Sequence, residues 1–374
     1  MGGGVTVQIY TGGFDSAPEP LDIPSILKKL EKIRQRANIA GVMIGWSPNA
    51  DIGAIAGFLR RHGIGVYLWL PVFSGWDGLS PLMGGQGRPA EQGYLAEKGE
   101  RFDFGCPANP ENVRHVIRIF EERYAAGPYD GIFLDKIRFP SFISGIQPVL
   151  TCFCPHCRPL HGISERFEPR GGENPLGITA YEGLRYTLAD EALAGLFAYK
   201  SEAVTASAAV LSGYFRKRGY KVGLDLFAPF LSYFVGQDYG KLAPYADFIK
   251  PMFYRKTNAP AGIPFELDMY AAAFGGSPQE IEGRGRYLLK TLQTSGIGMD
   301  FINREIAGIR EIAGDVKLYA GIEVNYHERV APVTARYIQE NVTGIKNADG
   351  IALSWDLCST PGQNLDAALM YIKQ

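Results

Sequence analysis

The chain has 374 residues, 46% hydrophobic and 21% charged, with 38 Lys plus Arg against 39 Asp plus Glu. This is the composition of a globular fold with a large core, and it lacks the basic stripe of a nucleic-acid binder. No apolar run reaches the roughly 18 residues of a membrane span, and MGGGVTVQIY carries no charged and apolar leader, so a cytoplasmic protein is expected, or a mature secreted one whose signal has been removed.

Eight β-type apolar runs follow one another, most of them separated by helical patterns. The first is 5–10, VTVQIY. A helical pattern at 24–37 leads to the second, 39–46, and another at 51–62 leads to the third, 65–73. Asn109-Pro110 supplies a polar cap and a Pro at the first position for a helix at 110–126. The fourth run follows in YDGIFLDKIRFP, where the buried strand Gly131-Ile132-Phe133-Leu134 delivers one carboxylate, Asp135. The fifth run is 221–227 after helical sequence at 179–218, and the sixth is 246–254. The seventh, 316–324, follows helical sequence at 278–312, and the eighth, 350–356, follows a helix at 331–345. An amphipathic run at 364–373 closes the chain. Such alternation predicts an α/β fold, a (β/α)8 TIM barrel forming one domain over 1–374. A doubly wound sheet is disfavoured because no glycine-rich dinucleotide turn follows the first strand. Two connections are long, 75–109 after strand 3 and 141–177 after strand 4, and such loops usually carry function or structure of their own.

Three of the five cysteines lie in TCFCPHC, a C-x-C-x2-C cluster inside the 141–177 insertion. A fourth, Cys106, lies in the neighbouring long loop. In a barrel these loops emerge side by side, so Cys106, Cys152, Cys154 and Cys157 can converge as a closed, structural zinc site that staples two loops. His156 or His161 offers an alternative ligand, and plain packed thiols or a disulfide are the competing reading. The spacing does not match the C-x3-C-x2-C of radical iron–sulfur enzymes, and Cys358 stands apart. No organic cofactor is expected.

Acids recur at strand ends: Asp135 on strand 4, Asp225 on strand 5, Glu323 on strand 7 and Asp356 after strand 8. A carboxylate at the end of an apolar strand is costly unless something uses it. Paired carboxylates with few histidines suit glycoside chemistry, one protonating the leaving oxygen and the other attacking or activating water. Asp135 and Glu323, on opposite sides of an eight-stranded barrel, are the expected pair, with Asp225 the alternative partner. A salt bridge of Asp225 with Lys250, or of Asp135 with Arg138, is the structural alternative. Trp46, Trp69, Trp76 and Trp355 all fall late in a strand or just after one, where they suit stacking on pyranose faces. Arg138, Lys250, Tyr254, His327 and Asp356 complete the expected substrate-binding set.

YDGIFLDKIRFP, preceded by CPANPENVR, resembles the fourth-strand region of uncharacterised glycoside-hydrolase-like barrels, with a pattern of roughly D-G-I-x-x-D-x-I-R-[FY]-P. The C-x-C-x2-C cluster with its upstream cysteine resembles the zinc cluster of family 42 β-galactosidases. Those enzymes end the fourth strand in Asn-Glu, whereas this chain has Leu134-Asp135. Asp130-Gly131, Asp135, Met252-x-Tyr254 and Trp355 resemble family 18 barrels, but the family's acid falls at Ile137 and its middle Asp at Phe133. The resemblance implies a sugar-active barrel with a carbohydrate substrate and with Asp135 as the carried-over candidate. Two other classes remain open: a non-catalytic sugar-binding barrel, and a Schiff-base lyase or aldolase that uses Lys250 as a buried amine.

Overall fold

Eight parallel strands close on themselves in this computed structural model, which describes residues 4–13, 20–85, 87–90, 102–160 and 168–372. The strands are β1 (Val5–Tyr10), β2 (Ile39–Gly45), β3 (Gly65–Pro71), β4 (Gly131–Asp135), β5 (Lys221–Phe227), β6 (Phe248–Met252), β7 (Lys317–Glu323) and β8 (Gly350–Ser354). Each pairs with its neighbours in sequence, and β8 closes on β1 with Val5 opposite Ile351 and Val7 opposite Leu353. This is the (β/α)8 barrel expected from the alternation. Around it run the longer helices α1 (Ile23–Arg34), α2 (Gly53–Arg61), α3 (Pro110–Arg123), α4 (Glu191–Lys217), α5 (Ile263–Ala272), α6 (Pro278–Thr291), α7 (Met299–Ala313), α8 (Ala335–Gly344) and α9 (Gly362–Tyr371). Their starts are chemically marked. Asn109 caps α3 through the Glu111 amide, Asp190 caps α4 through the Ala192 and Leu193 amides, and Ser277 with Glu280 forms a capping box on α6. Among the described residues no helix is long and apolar enough to cross a membrane.

Three elements differ from the sequence expectation. The helical stretch expected at 179–218 begins as an antiparallel hairpin, Ile178–Glu182 with Arg185–Leu188, and turns helical only at α4. Its turn carries Gly183 and Leu184 at φ +53° and +62°, the left-handed pair that joins twisted strands tightly. The stretch at 278–312 is two helices, interrupted where Gln293 takes φ +53° and glycines follow at 296 and 298. Helix α5 went unforeseen. It opens with Pro264 in its first turn, and its buried residues include Ile263, Phe265, Glu266 and Tyr270, with no single apolar stripe in the sequence to announce it.

The barrel interior is filled rather than hollow. Phe133 stacks on Phe248 at 5.7 Å, and Tyr67 and Tyr319 meet the same ring edge-on. Glycines on adjacent strands make room for these rings: a Cβ on Gly223 would lie 2.2 Å from the Phe248 ring, and one on Gly131 2.4 Å from Tyr67. At the opposite end from the site described below, one device recurs. Asp130, Asp247 and Asp349, just before β4, β6 and β8, accept from the amides of Val66, Val222 and Leu318 at 2.9, 2.7 and 2.7 Å. Their own amides donate back to the same three residues' carbonyls.

Candidate active site

Above the aromatic layer the interior turns polar. Lys250 on β6 is fully buried, and its stem lies against β7 at a place only glycine leaves open, since a Cβ on Gly321 would fall 2.6 Å from Lys250 Cε. Lys250 Nζ sits 2.9 Å from Asp225, 3.1 Å from Gln8 Oε1 and 2.6 Å from Tyr254 Oη. All three donor directions of the ammonium are thereby used. Burial pushes the Lys250 amine down while Asp225 opposes the shift. Asp225, 2% exposed, is pushed up to about 7 by burial, against the pull of Lys250 and with the charge of Asp135 adding to the rise.

Above them opens a cavity of about 360 Å³ at the C-terminal mouth of the barrel, lined by Asp225 and Tyr254 among others. Asp135 and Asp225 are both on its wall; Lys250 is not among the lining residues and lies beneath. Asp135 accepts from Trp69 Nε1 at 2.9 Å and from the Lys136 amide at 2.6 Å. Tyr10, Trp46 and Trp69 make an edge-to-face cluster, with centroids 5.2 Å (Tyr10–Trp46) and 5.5 Å (Trp46–Trp69) apart, and Trp355 joins them on the wall. Tyr254, Arg138 and His327 line the same space. The expected set thus converges at Asp135, Asp225, Trp46, Trp69, Trp355, Arg138, Tyr254 and His327, with Lys250 just below.

Other expected residues stand elsewhere. Glu323 is fully buried and absent from the cavity wall. Its Oε1 accepts from the amides of Lys256 and Thr257 at 2.7 and 2.9 Å and from Thr257 Oγ1 at 3.2 Å, and its Oε2 accepts from Tyr337 Oη at 2.5 Å. Burial pushes its carboxyl up, and these donors oppose that. Glu323 therefore ties the loop after β6 to α8, and it is Asp225, the alternative partner, rather than Glu323 that shares the cavity wall with Asp135. Asp356 likewise caps a turn: its oxygens accept from the amides of Tyr10, Cys358 and Ser359 and from Ser359 Oγ. Trp76 packs on Tyr124 and donates to the Pro71 carbonyl at 2.8 Å, away from the cavity wall. Sequence reasoning missed Tyr10, Gln8, Lys136 and Arg329. The alternation of β1 carries the signal for the first two, since Gln8 and Tyr10 share its inward face.

The four cysteines do converge. Cys106, Cys152, Cys154 and Cys157 are buried, and their Sγ atoms all lie within 4.8 Å of one another. Cys106 Sγ is 3.5 Å from Cys157 Sγ and 3.7 Å from Cys154 Sγ. Four sulfurs about 2.3 Å from a tetrahedral ion would be about 3.8 Å apart, so the spacing suits a metal ion. The Met83 and Cys154 amides point at Cys152 Sγ at 3.1 and 3.4 Å, as donors do toward a thiolate. His156 is exposed and outside the group, His161 lies outside the described residues, and Cys358 is exposed and apart.

The fold and the mouth cavity define a (β/α)8 barrel with the architecture of solved glycoside hydrolases. No family model and no curated protein sequence matches the chain. Among solved structures it resembles the glycoside hydrolase domain of PgaB (BpsB) from Bordetella bronchiseptica, with a TM-score of 0.57 and 16% identity over 99% of each chain. It also resembles the beta-galactosidase from the psychrophilic Marinomonas ef1, with a TM-score of 0.56 and 13% identity over 98% of this chain and 58% of that one. A chitinase from Chromobacterium violaceum ATCC 12472 aligns over 99% of each chain at 12% identity, with a TM-score of 0.47. At such identities the likeness is one of fold.

Proposed function

We propose that this chain is a glycoside hydrolase acting on an oligo- or polysaccharide at the mouth cavity, with Asp225 as the acid and Asp135 as its carboxylate partner. The observation that carries the proposal is the presence of two carboxyl groups in unlike settings on one aromatic-walled cavity. Asp225 is lifted to about 7 by burial and so holds a proton in mildly acidic solution. A carboxyl in that state can protonate a glycosidic oxygen as the bond breaks. Asp135, met by an indole and an amide donor, presents a lone pair toward the cavity, to attack the anomeric carbon or to take a proton from water. Lys250 positions Asp225 and opposes the rise in its proton affinity. Trp46, Trp69 and Trp355 supply flat faces on which a pyranose ring stacks.

The placement of Lys250 beneath the wall, with its donors engaged, weighs against Schiff-base chemistry. We assign the four cysteines to a structural zinc ion; held by four thiolates, such an ion is coordinatively closed and contributes a cross-link between loops rather than a reaction step. The test is turnover of aryl glycosides and oligosaccharides by Asp225→Asn and Asp135→Asn. Each is expected to lose roughly 10²–10⁴-fold in kcat while keeping its fold. Wild-type rates in both variants overturn the assignment.

A further inference from the structure

We propose that Lys200 is the counter-charge of the cysteine centre, a buried ammonium that stabilises a divalent ion held by all four thiolates. The inference rests on the assignment of Cys106, Cys152, Cys154 and Cys157 to a metal ion and says what keeps that ion there. Lys200 lies on α4 and is fully buried. A buried lysine ordinarily faces a carboxylate, as Lys250 faces Asp225. Among the described residues no carboxylate pairs with Lys200. Its Nζ donates to the Val149 carbonyl and lies 4.8 Å from the centre of the Phe139 ring and 5.8 Å from that of Phe197. One neutral acceptor and two ring faces offset only part of the cost of taking a whole positive charge out of water.

The negative charge that faces Lys200 is that of the cysteines. Burial lowers the amine's hold on its proton, and Cys157, Cys152 and Cys106 are the groups that oppose the shift. The backbone places them there. Val149, which accepts from Nζ, lies shortly before Cys152 in the chain. Two further side chains of α4 reach the backbone beside other cysteines. Tyr199 Oη donates at 2.5 Å to the carbonyl of His156, the residue before Cys157, and Ser207 Oγ donates at 2.7 Å to that of Pro107, the residue after Cys106. One helix thus fastens both cysteine-bearing loops and carries the cation alongside them. As thiols, the four cysteines are neutral and leave Lys200 an uncompensated buried charge. As thiolates on a divalent ion, they give the centre two net negative charges, and attraction across a buried, low-dielectric gap is strong and little screened by salt. Metal binding and burial of the ammonium therefore stabilise each other. The Met83 and Cys154 amides directed at Cys152 Sγ act in the same sense, with partial charges only.

The experiment measures zinc affinity of the full chain at one fixed pH, by competition with a chromophoric chelator, in the wild type, Lys200→Met and Lys200→Gln. Met keeps the apolar packing between the two rings, Gln keeps a donor for the Val149 carbonyl, and neither carries a charge. Both variants are expected to bind zinc roughly ten- to hundredfold more weakly, and the rise in Tm on adding zinc is expected to shrink in both. A lysine that served packing alone would lower Tm equally with and without zinc; that result overturns the inference, as does wild-type zinc affinity in Lys200→Gln. Loading the same site with iron reads the charge separately. A ferrous centre carries one more negative charge than a ferric one, so loss of a neighbouring cation is expected to lower the reduction potential in both variants. An unchanged potential overturns the counter-charge assignment while leaving the metal assignment standing. Wild-type protein that binds neither ion overturns the metal assignment, and this inference with it.

Discussion

Burial lifts the Asp225 carboxyl to about 7, and this single shift has two measurable consequences of known sign. An acid that must be protonated loses its function as pH rises, so kcat/KM is expected to fall on an alkaline limb near pH 7. Lys250 holds the proton affinity of Asp225 down, so Lys250→Met is expected to move that limb to higher pH, read from the rate profile of the variant. For stability, the ordinary value of 3.8 belongs to the unfolded chain and the raised value to the folded one. Between them the folded state binds the extra proton, so stability falls as pH rises from about 4 to about 7. Glu305, also pushed up to about 7 by burial, contributes with the same sign. Asp225→Asn is expected to flatten the decline of Tm over that window without abolishing it. Residues such as Asp225 were legible in the sequence because strand alternation fixes which side chains face inward. The fate of Glu323 was not, because it depends on where the loop after β6 places two backbone amides.

That loop makes Glu323 a test of an element rather than of the chemistry. In Glu323→Gln the amide oxygen can still accept from the Lys256 and Thr257 amides, and the new NH₂ can donate to Tyr337 Oη, which is itself able to accept. We expect Tm and turnover close to wild type. Glu323→Ala leaves buried donors without an acceptor, at roughly 1–3 kcal/mol, seen as a lower Tm. An active Glu323→Gln separates this acid from Asp135 and Asp225, and an inactive but folded one restores it to the reaction. The cysteine cluster joins elements in a similar way. It brings Cys106, beside the start of α3, to the 152–157 segment, and a Met83 amide points into it. Elemental analysis is expected to find one zinc per chain, and chelation to lower Tm. The cysteine spacing and the barrel's loop order made this cluster readable. The hairpin at 178–188 was not, because its first strand alternates weakly and its turn places Leu184, a residue without turn character, at positive φ.

At the scale of the whole molecule the eight apolar runs were the strongest signal, and each became a barrel strand within two residues of its expected bounds. Buried parallel strands read as continuous apolar runs, and most of the helices that cover them are amphipathic, so both periods are written in much of the chain. The site was harder to read, because a cavity at a barrel mouth is assembled from eight loops whose mutual arrangement no local pattern encodes. Arg329 is the clearest case. Nothing around it in NYHER distinguishes a rim cation from a solvated one.

The aspartates before β4, β6 and β8 show a further regularity. Each makes a closed pair of hydrogen bonds with the strand before it, so the barrel divides into strand pairs fastened at their base: β3 with β4, β5 with β6, β7 with β8. Before β2 the corresponding place holds Asn38, whose carbonyl accepts from the Val5 amide at 2.7 Å. The clasp thus recurs in three of the four strand pairs, and the β1–β2 pair is joined at the same level by a backbone bond alone. Such clasps lie at the end of the barrel remote from the cavity. Asp130→Ala, Asp247→Ala and Asp349→Ala are therefore expected to lose similar stability, roughly 1–3 kcal/mol each, with kcat unchanged, and the similarity of the three losses in denaturant titration is the measure of how far the three clasps are equivalent.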